Sequence, residues 1–174
     1  MKKAIFKFGL FLLAVLLPIG CNSDDEEIKG TIIERIDTGK DISTFFNSEW
    51  ADYTDTYPET FFNREEWDRN HIHLINSQEE LKSIYHGSKE IPQIDFSRYS
   101  LIIGQQLKVT EIGKKSAGSL KDIRLYDTKD DYRLDLCCTS YIPKGSLLVE
   151  HFLYFWGIYP KLNNKNITIQ IKLI

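Results

Sequence analysis

From residue 99 to the carboxyl end, apolar and polar positions alternate with a period of two, the mark of half-buried β-strands. Leu101, Ile103, Leu107 and Val109 share one parity with Gln105 between them. Ile102 breaks the alternation, so part of this strand is expected to be covered on both faces. Ile123 and Leu125 lead into the polar turn Asp127-Thr128-Lys129-Asp130-Asp131. Beyond it, Leu134, Leu136 and Cys138 face one side and Arg133, Asp135 and Cys137 the other, which predicts a β-hairpin with one wet face. Leu147 to Trp156 is an aromatic strand closed by Gly157 and Pro160. Trp156 shares parity with Phe152 and Tyr154, opposite to Val149 and Leu153, so both faces are apolar and the strand is expected at the centre of the sheet. Ile167, Ile169, Ile171 and Leu173 alternate with Thr168, Gln170 and Lys172, the cleanest strand signal in the chain.

The first half has a different texture. Thr31 to Ile36 and His71 to Ile75 read as short strands. Ser77-Gln78-Glu79-Glu80 matches a capping box, in which the serine hydroxyl accepts from the Glu80 amide while the Glu80 carboxylate reaches back to the Ser77 amide. Leu81, Ile84 and Tyr85 supply the apolar stripe, and Gly87 suits a left-handed stop. This predicts a helix over Gln78 to His86. Residues 45–67 gather Phe45, Phe46, Trp50, Tyr53, Tyr57, Phe61, Phe62 and Trp67 among carboxylates without a clean period. Trp50, Tyr53 and Tyr57 fall at helical spacing, and Pro58 would break a helix there or start another. The fold class that follows is α+β: a mainly antiparallel sheet of about five or six strands, one packed helix near residues 77–86, and an aromatic segment wrapping an edge or an end.

The amino end sets the organisation. Lys2, Lys3 and Lys7 precede an apolar run, Phe8 to Ile19, and Gly20-Cys21 follows. That is a secretory signal whose cleavage site is a cysteine; the run is shorter than the ~20 apolar residues that span a bilayer. Expected are a signal peptide at 1–20, an acidic tether at 21–30 and a single α+β domain at 31–174. Residues 1–20 hold three lysines and no acid, so their removal takes the formal charge from −3 to −6. That balance, with Lys114-Lys115 as an isolated pair, argues against nucleic acid as a partner. Besides Cys21, the adjacent Cys137 and Cys138 point to opposite faces of a strand and would pair only through a strained ring; they read as two unpaired thiols, one in the core and one outside.

Candidate chemistry is sparse. His71 and His73 share a strand face, a spacing that metal sites use, and Glu65, Glu66 and Asp68 are near in sequence. Solvent-facing or locally bonded histidines fit the same pattern, and no cofactor is expected. Asp52, Asp55, Glu65 and Glu66 could supply two carboxylates at ~5–9 Å for glycoside cleavage, but 25 acids offer many such pairs by composition alone. Ser116, in Gly113-Lys114-Lys115-Ser116-Ala117-Gly118, lacks the G-x-S-x-G spacing and reads as loop. There is neither a P-loop nor a dinucleotide fingerprint. His151 lies within an apolar strand and reads as a hydrogen-bonded core or edge residue. Trp50, Tyr53, Tyr57 and Trp67 are the candidate ligand-binding rings, since aromatic rings stack on sugars and are enriched in interfaces; core filling is the simpler account of most rings in this segment. Tyr154, Trp156 and Tyr159 read as buried.

Leu17-Pro18-Ile19-Gly20-Cys21 resembles a bacterial lipobox, with Pro18 where a small or branched apolar residue is usual. The resemblance implies a mature chain beginning at Cys21, acylated on its sulfur and amine and held on a membrane by several acyl chains. The run Asp24-Asp25-Glu26-Glu27 resembles the surface-export tether of Bacteroidota lipoproteins, which implies outer-membrane attachment, facing outward or the periplasm. Residues 72–174 distantly resemble small domains of uncharacterised lipoproteins of that group: a capped helix, then Ile94-Asp95-Phe96-Ser97-Arg98-Tyr99 leading into the strand Ser100 to Gly104, then hairpins. They resemble more faintly the C-terminal domain of an accessory subunit in a spirochaete secreted-protease complex, whose glycine-rich turn Gly113 to Gly118 replaces poorly. No catalytic residue carries over from either. The expectation is a lipid-anchored binding or accessory protein without catalytic activity that engages another envelope protein. The alternatives are a glycan-binding module and a metal- or carboxylate-dependent hydrolase.

Overall fold

The computed structural model describes residues 30–50, 61, 70–110, 114–142, 144 and 149–174, the side chains of 48–50, 108–110 and 149–151 excepted. The elements run β1 (Thr31–Ile33), α1 (Gly39–Trp50), β2 (His71–Ile75), α2 (Gln78–Ile84), β3 (Tyr99–Thr110), β4 (Ser116–Asp127), β5 (Tyr132–Tyr141), β6 (Val149–Pro160) and β7 (Ile167–Leu173). The α+β class, mainly antiparallel pairing and a packed helix near residues 77–86 agree with the pattern of the chain. The single expected sheet is instead two, and a second helix precedes β2.

One sheet has the order β1-β4-β5-β7 and the other β2-β3-β6. Every pairing is antiparallel except β5 with β7. The three-stranded sheet is the middle layer. Leu101, Ile103, Trp156 and Ile158 pack on one face against Phe45, Phe46, Phe61 and Leu81. Ile102, Leu153, Phe155 and Tyr159 pack on the other against Leu125, Leu134, Leu136 and Cys138 of the four-stranded sheet. Burial on both sides explains why the alternation fails at Ile102 and why β6 reads apolar throughout. β3 is the central strand, however, and β6 lies at an edge; its two apolar faces come from the layers above and below it. Gly104 pairs with Phe155 across β3 and β6, and a Cβ there would sit 2.2 Å from the Phe155 ring and 2.8 Å from the His71 carbonyl oxygen of β2.

The two helices form by different means. Ser77 caps α2 through the Glu80 amide at 3.0 Å, as the capping box predicts, but the Glu80 carboxylate takes the Asn76 amide (2.6 Å) rather than that of Ser77. The helix stops at Ile84, with Tyr85 extended at φ −89°, and Gly87 has no left-handed backbone. The left-handed glycine is Gly39 (φ 69°), where the Asp37 carboxylate accepts the Gly39 amide at 3.2 Å and turns the chain into α1. α1 contributes only a narrow stripe, Ile42, Phe45 and Phe46, to the core. Its sequence is rich in Ser, Thr, Asn and Gly, so propensity alone holds it weakly and packing decides. Phe46 stacks on Trp156 with centroids 4.9 Å apart and meets Phe45 edge-on at 5.1 Å.

β4 and β5 form the expected hairpin around Asp127–Tyr132, with Thr128 and Asp131 bonded across the turn. Its outer face is drier than expected. Asp135 and Cys137 are both 3 % exposed. Asp135 is clamped by Arg133 at 2.8 and 3.0 Å and stands opposite Arg124 on β4. Cys137 has Asp122 and Lys172 as its cross-strand neighbours. Long charged side chains therefore lie over the short ones, their stems excluding water. Neither Cys137 nor Cys138 is in a disulfide, and both are buried, which corrects the expected outside position of Cys137.

Candidate functional site

Of the residues singled out by the sequence, Cys21, Tyr53, Tyr57 and Trp67 lie outside the described residues, as do Asp52, Asp55, Glu65, Glu66 and Asp68. Trp50 is the last residue of α1, its side chain outside the description. His71 and His73 do share a face of β2, opposite Gln105 and Ile103, on the side of the helical layer. No group of three or more His, Cys, Asp or Glu that could hold a metal occurs among the described residues. His73 lines a cavity of about 550 Å³ with Glu80, Ser83 and Lys165, while His71 is not part of its lining. Ser116 is not in a loop but opens β4, buried and paired with Tyr141. His151 pairs with Lys108 across β3 and β6. Trp156 and Tyr159 are buried as expected, and Tyr154 is half-buried.

A concavity lies elsewhere, beside β6, the edge strand of the three-stranded sheet. It encloses about 600 Å³, within the range of small-ligand and peptide clefts. Its floor is Tyr154, Phe155 and Trp156. One wall is Ser43 and Asn47 of α1; the other is Leu120 to Arg124 of β4 with Ile32 and Ile33 of β1; Glu34 and Arg35 close one end.

Three local features build it. First, the chain leaves β1 at Ile33 and crosses to the middle sheet, where the Ile36 amide donates to the Ile158 carbonyl at 2.8 Å. Segment 34–38 thus covers the edge of β6 at Ile158 and diverges from it towards β1. A strand turns the amide and carbonyl of alternate residues to the same side. With Ile158 facing outward, the backbone groups of Trp156 and Tyr154 face outward too, along the cleft floor. Second, the β4–β5 register shifts between Ala117 and Leu120 and again between Leu120 and Asp122. Such bulges bend a strand and re-aim its side chains, and here they give the wall facing β6. Third, Trp156 is fixed from both sides. Arg35 lies 4.3 Å above its ring, Phe46 stacks beneath, and its indole N–H donates to the Asn47 side-chain oxygen at 3.0 Å. A cation over an indole contributes ~0.5–2 kcal/mol, enough to hold the arginine on the ring.

The electrostatics are mixed, with a positive balance. Arg124 donates to Asp122 at 2.8 Å, both half-exposed; that contact raises the guanidinium pKa. Among the described residues, Arg35 and Lys121 have no carboxylate partner and Glu34 has no cation partner. The rim therefore carries one net positive charge on a chain of net −3. Behind the floor, the Tyr159 ring packs where a Gly157 Cβ would stand, its hydroxyl 2.8 Å from that point. The hydroxyl is buried with no hydrogen-bond partner among the described residues. Burial pushes its pKa up to about 12, with Arg35 pulling it down and Asp122 pushing it up by weaker charge effects.

No family model matches the chain, and no curated protein or solved structure matches it either. The cleft escaped the sequence reading because it is assembled from three distant segments. The available signal was Arg35, a cation directly after a short strand, together with the departure from alternation at Leu120 to Asp122.

Proposed function

We propose that this protein is a lipid-anchored component of the cell envelope that works by binding another envelope protein, without catalysis of its own. Cys21 after its basic and apolar leader supports the anchor, and the acidic residues 24–27 support display from an outer membrane, outward rather than into the periplasm. Among the described residues no helix is long and apolar enough to cross a membrane, and acyl chains on Cys21 are the proposed attachment.

The observation that carries the binding role is the cleft beside β6. Its polar rim and apolar wall are parts from which polypeptide-binding grooves are built. Its acids and bases lie at the rim as a surface ion pair and solvated charges, an arrangement that serves recognition more directly than proton transfer.

Two measurements on the full chain test this. The amino-terminal peptide of protein isolated from its native membrane is expected to carry acyl mass on Cys21, and Cys21→Ala is expected to move the protein out of the membrane fraction. Capture of the full chain from cross-linked membranes is expected to retain one defined envelope protein. An unmodified terminus would remove the anchor, and retention of none above background would remove the binding role.

A further inference from the structure

We infer that two copies of this chain form a symmetric dimer in which β7 of one pairs antiparallel with β7 of the other, a two-fold axis passing beside Gln170 and joining the two four-stranded sheets into one. The dimer goes beyond the binding role and leaves the cleft free, because β1 and β4 line the cleft at the other end of this sheet.

The edge itself is the first support. β7 ends the strand order, and β5 is its one sheet neighbour among the described residues. The Ile174 amide donates to the Cys138 carbonyl, and the Asn166 carbonyl accepts from the Tyr132 amide, so even-numbered residues turn their backbone groups towards β5. The amides and carbonyls of Ile167, Ile169, Ile171 and Leu173 therefore face away from the sheet, with no hydrogen bond to a described residue. Proteins guard such edges by keeping them short, or with proline, bulges and charge. β1, the opposite edge, is three residues long. β7 has seven residues without Pro or Gly and an unbroken register with β5, and Lys172 is its one charge.

The second support is apolar surface. Ile167, Ile169 and Ile171 point between the sheets yet are only half-buried, and Leu173 is exposed. A strand added in the plane of the sheet would cover them. Antiparallel pairing must set outward backbone groups against outward backbone groups, and the register centred on Gln170 does so while pairing all seven residues. It sets Ile169 opposite Ile171 and Ile167 opposite Leu173, with about eight new backbone hydrogen bonds. Charge is the third support. Neither Lys172 nor Asp131 has an ion-pair partner among the described residues, and the Thr168 hydroxyl donates to the Asp131 carboxylate at 3.3 Å. The same register sets Lys172 of one copy opposite Thr168 of the other, beside that carboxylate. It also keeps the two lysines apart, whereas like charges directly opposite would destabilise the pair.

The experiment uses the full chain, in its native membrane for cross-linking and in detergent for sedimentation. Gln170→Cys places the two thiols across the axis at a non-hydrogen-bonded pair, whose Cα separation of ~4.5 Å admits a disulfide. Mild oxidation is expected to give at least tenfold more disulfide-linked dimer from Gln170→Cys than from Thr168→Cys, Lys172→Cys or the unsubstituted chain, since 168 and 172 face each other and not themselves. Sedimentation is expected to show a monomer–dimer equilibrium that Gln170→Lys weakens at least tenfold by opposing two ammonium groups, and that Lys40→Glu on α1 changes less than twofold. A chain that stays monomeric at every concentration would overturn the inference, as would cross-linking at 170 no greater than at 168 and 172. So would a dimer indifferent to Gln170→Lys. A Gln170→Cys adduct to a different envelope protein would assign the edge to that protein and overturn it too.

Discussion

Replacing Tyr159 by phenylalanine should stabilise this protein. The ring is 1 % exposed, and its hydroxyl is buried with no hydrogen-bond partner among the described residues. A hydroxyl taken from water without a compensating bond costs roughly 1–3 kcal/mol. Tyr159→Phe keeps the ring that fills the space over Gly157 and removes only the oxygen, so a gain of about 1 kcal/mol is expected near pH 8 after the small void is discounted. The pH dependence gives an independent check. In the unfolded chain the phenol ionises near 10, and in the folded protein burial moves this to about 12. Below pH 10 neither state releases the proton, and the group adds no slope. Between 10 and 12 the unfolded state loses its proton first, so stability falls as pH rises, by about 3 kcal/mol over the whole window. Urea unfolding followed by tryptophan fluorescence near pH 8 and near pH 11 reads both effects. The variant should lose the part of the alkaline decline that Tyr159 causes, leaving that of the other tyrosines and the lysines. A variant less stable by ~1 kcal/mol or more near pH 8, or an unchanged alkaline decline, would show that the hydroxyl is satisfied and refute the reasoning.

Three further outcomes follow from the packing. Gly104→Ala would place a methyl 2.2 Å from the Phe155 ring and 2.8 Å from a backbone oxygen, so a loss of at least ~1–3 kcal/mol in the same unfolding assay is expected. Ser77→Ala removes the acceptor of the Glu80 amide and should cost about 1 kcal/mol, with Ser77→Gly recovering most of it. Both Cys137 and Cys138 are at most 3 % exposed, and burial raises the Cys137 thiol pKa above its ordinary value, so a thiol reagent at neutral pH should label the native protein slowly and the urea-unfolded protein at once.

Legibility in the sequence followed the range of the interactions. The capping box at Ser77 and the alternation of β5 and β7 are local patterns, and each produced its element within a few residues of the expected place. α1 was not legible because its buried stripe is only Ile42, Phe45 and Phe46 on a sequence of poor helix formers; what holds it is packing on distant residues, Phe61, Tyr85 and, more than a hundred positions away, Trp156. The second sheet was missed for a related reason. Period-two alternation shows that Leu134 and Leu136 face a core, but not that this core is the back of β3 and β6. Apolar residues on both faces of β6 were read correctly, yet they marked a middle layer rather than a central strand. Asp135 and Cys137 were placed on a wet face because their coverings, Arg133, Arg124 and Lys172, come partly from neighbouring strands. The cleft depends on the bulges at Leu120, which a break in alternation marks, and on the crossing at Ile36 and the turn at Gly39, which alternation does not report.

The account's central claim is that a partner seats in the cleft beside β6, between α1 and β4. A photo-cross-linking residue placed at Lys121 of the full chain in its native membrane tests it most directly, with Lys129 as the remote comparison. A discrete adduct with one envelope protein from position 121, and none from 129, is the predicted result. Equal adducts at both positions, or no adduct at 121 in a membrane where the partner is retained, would contradict it.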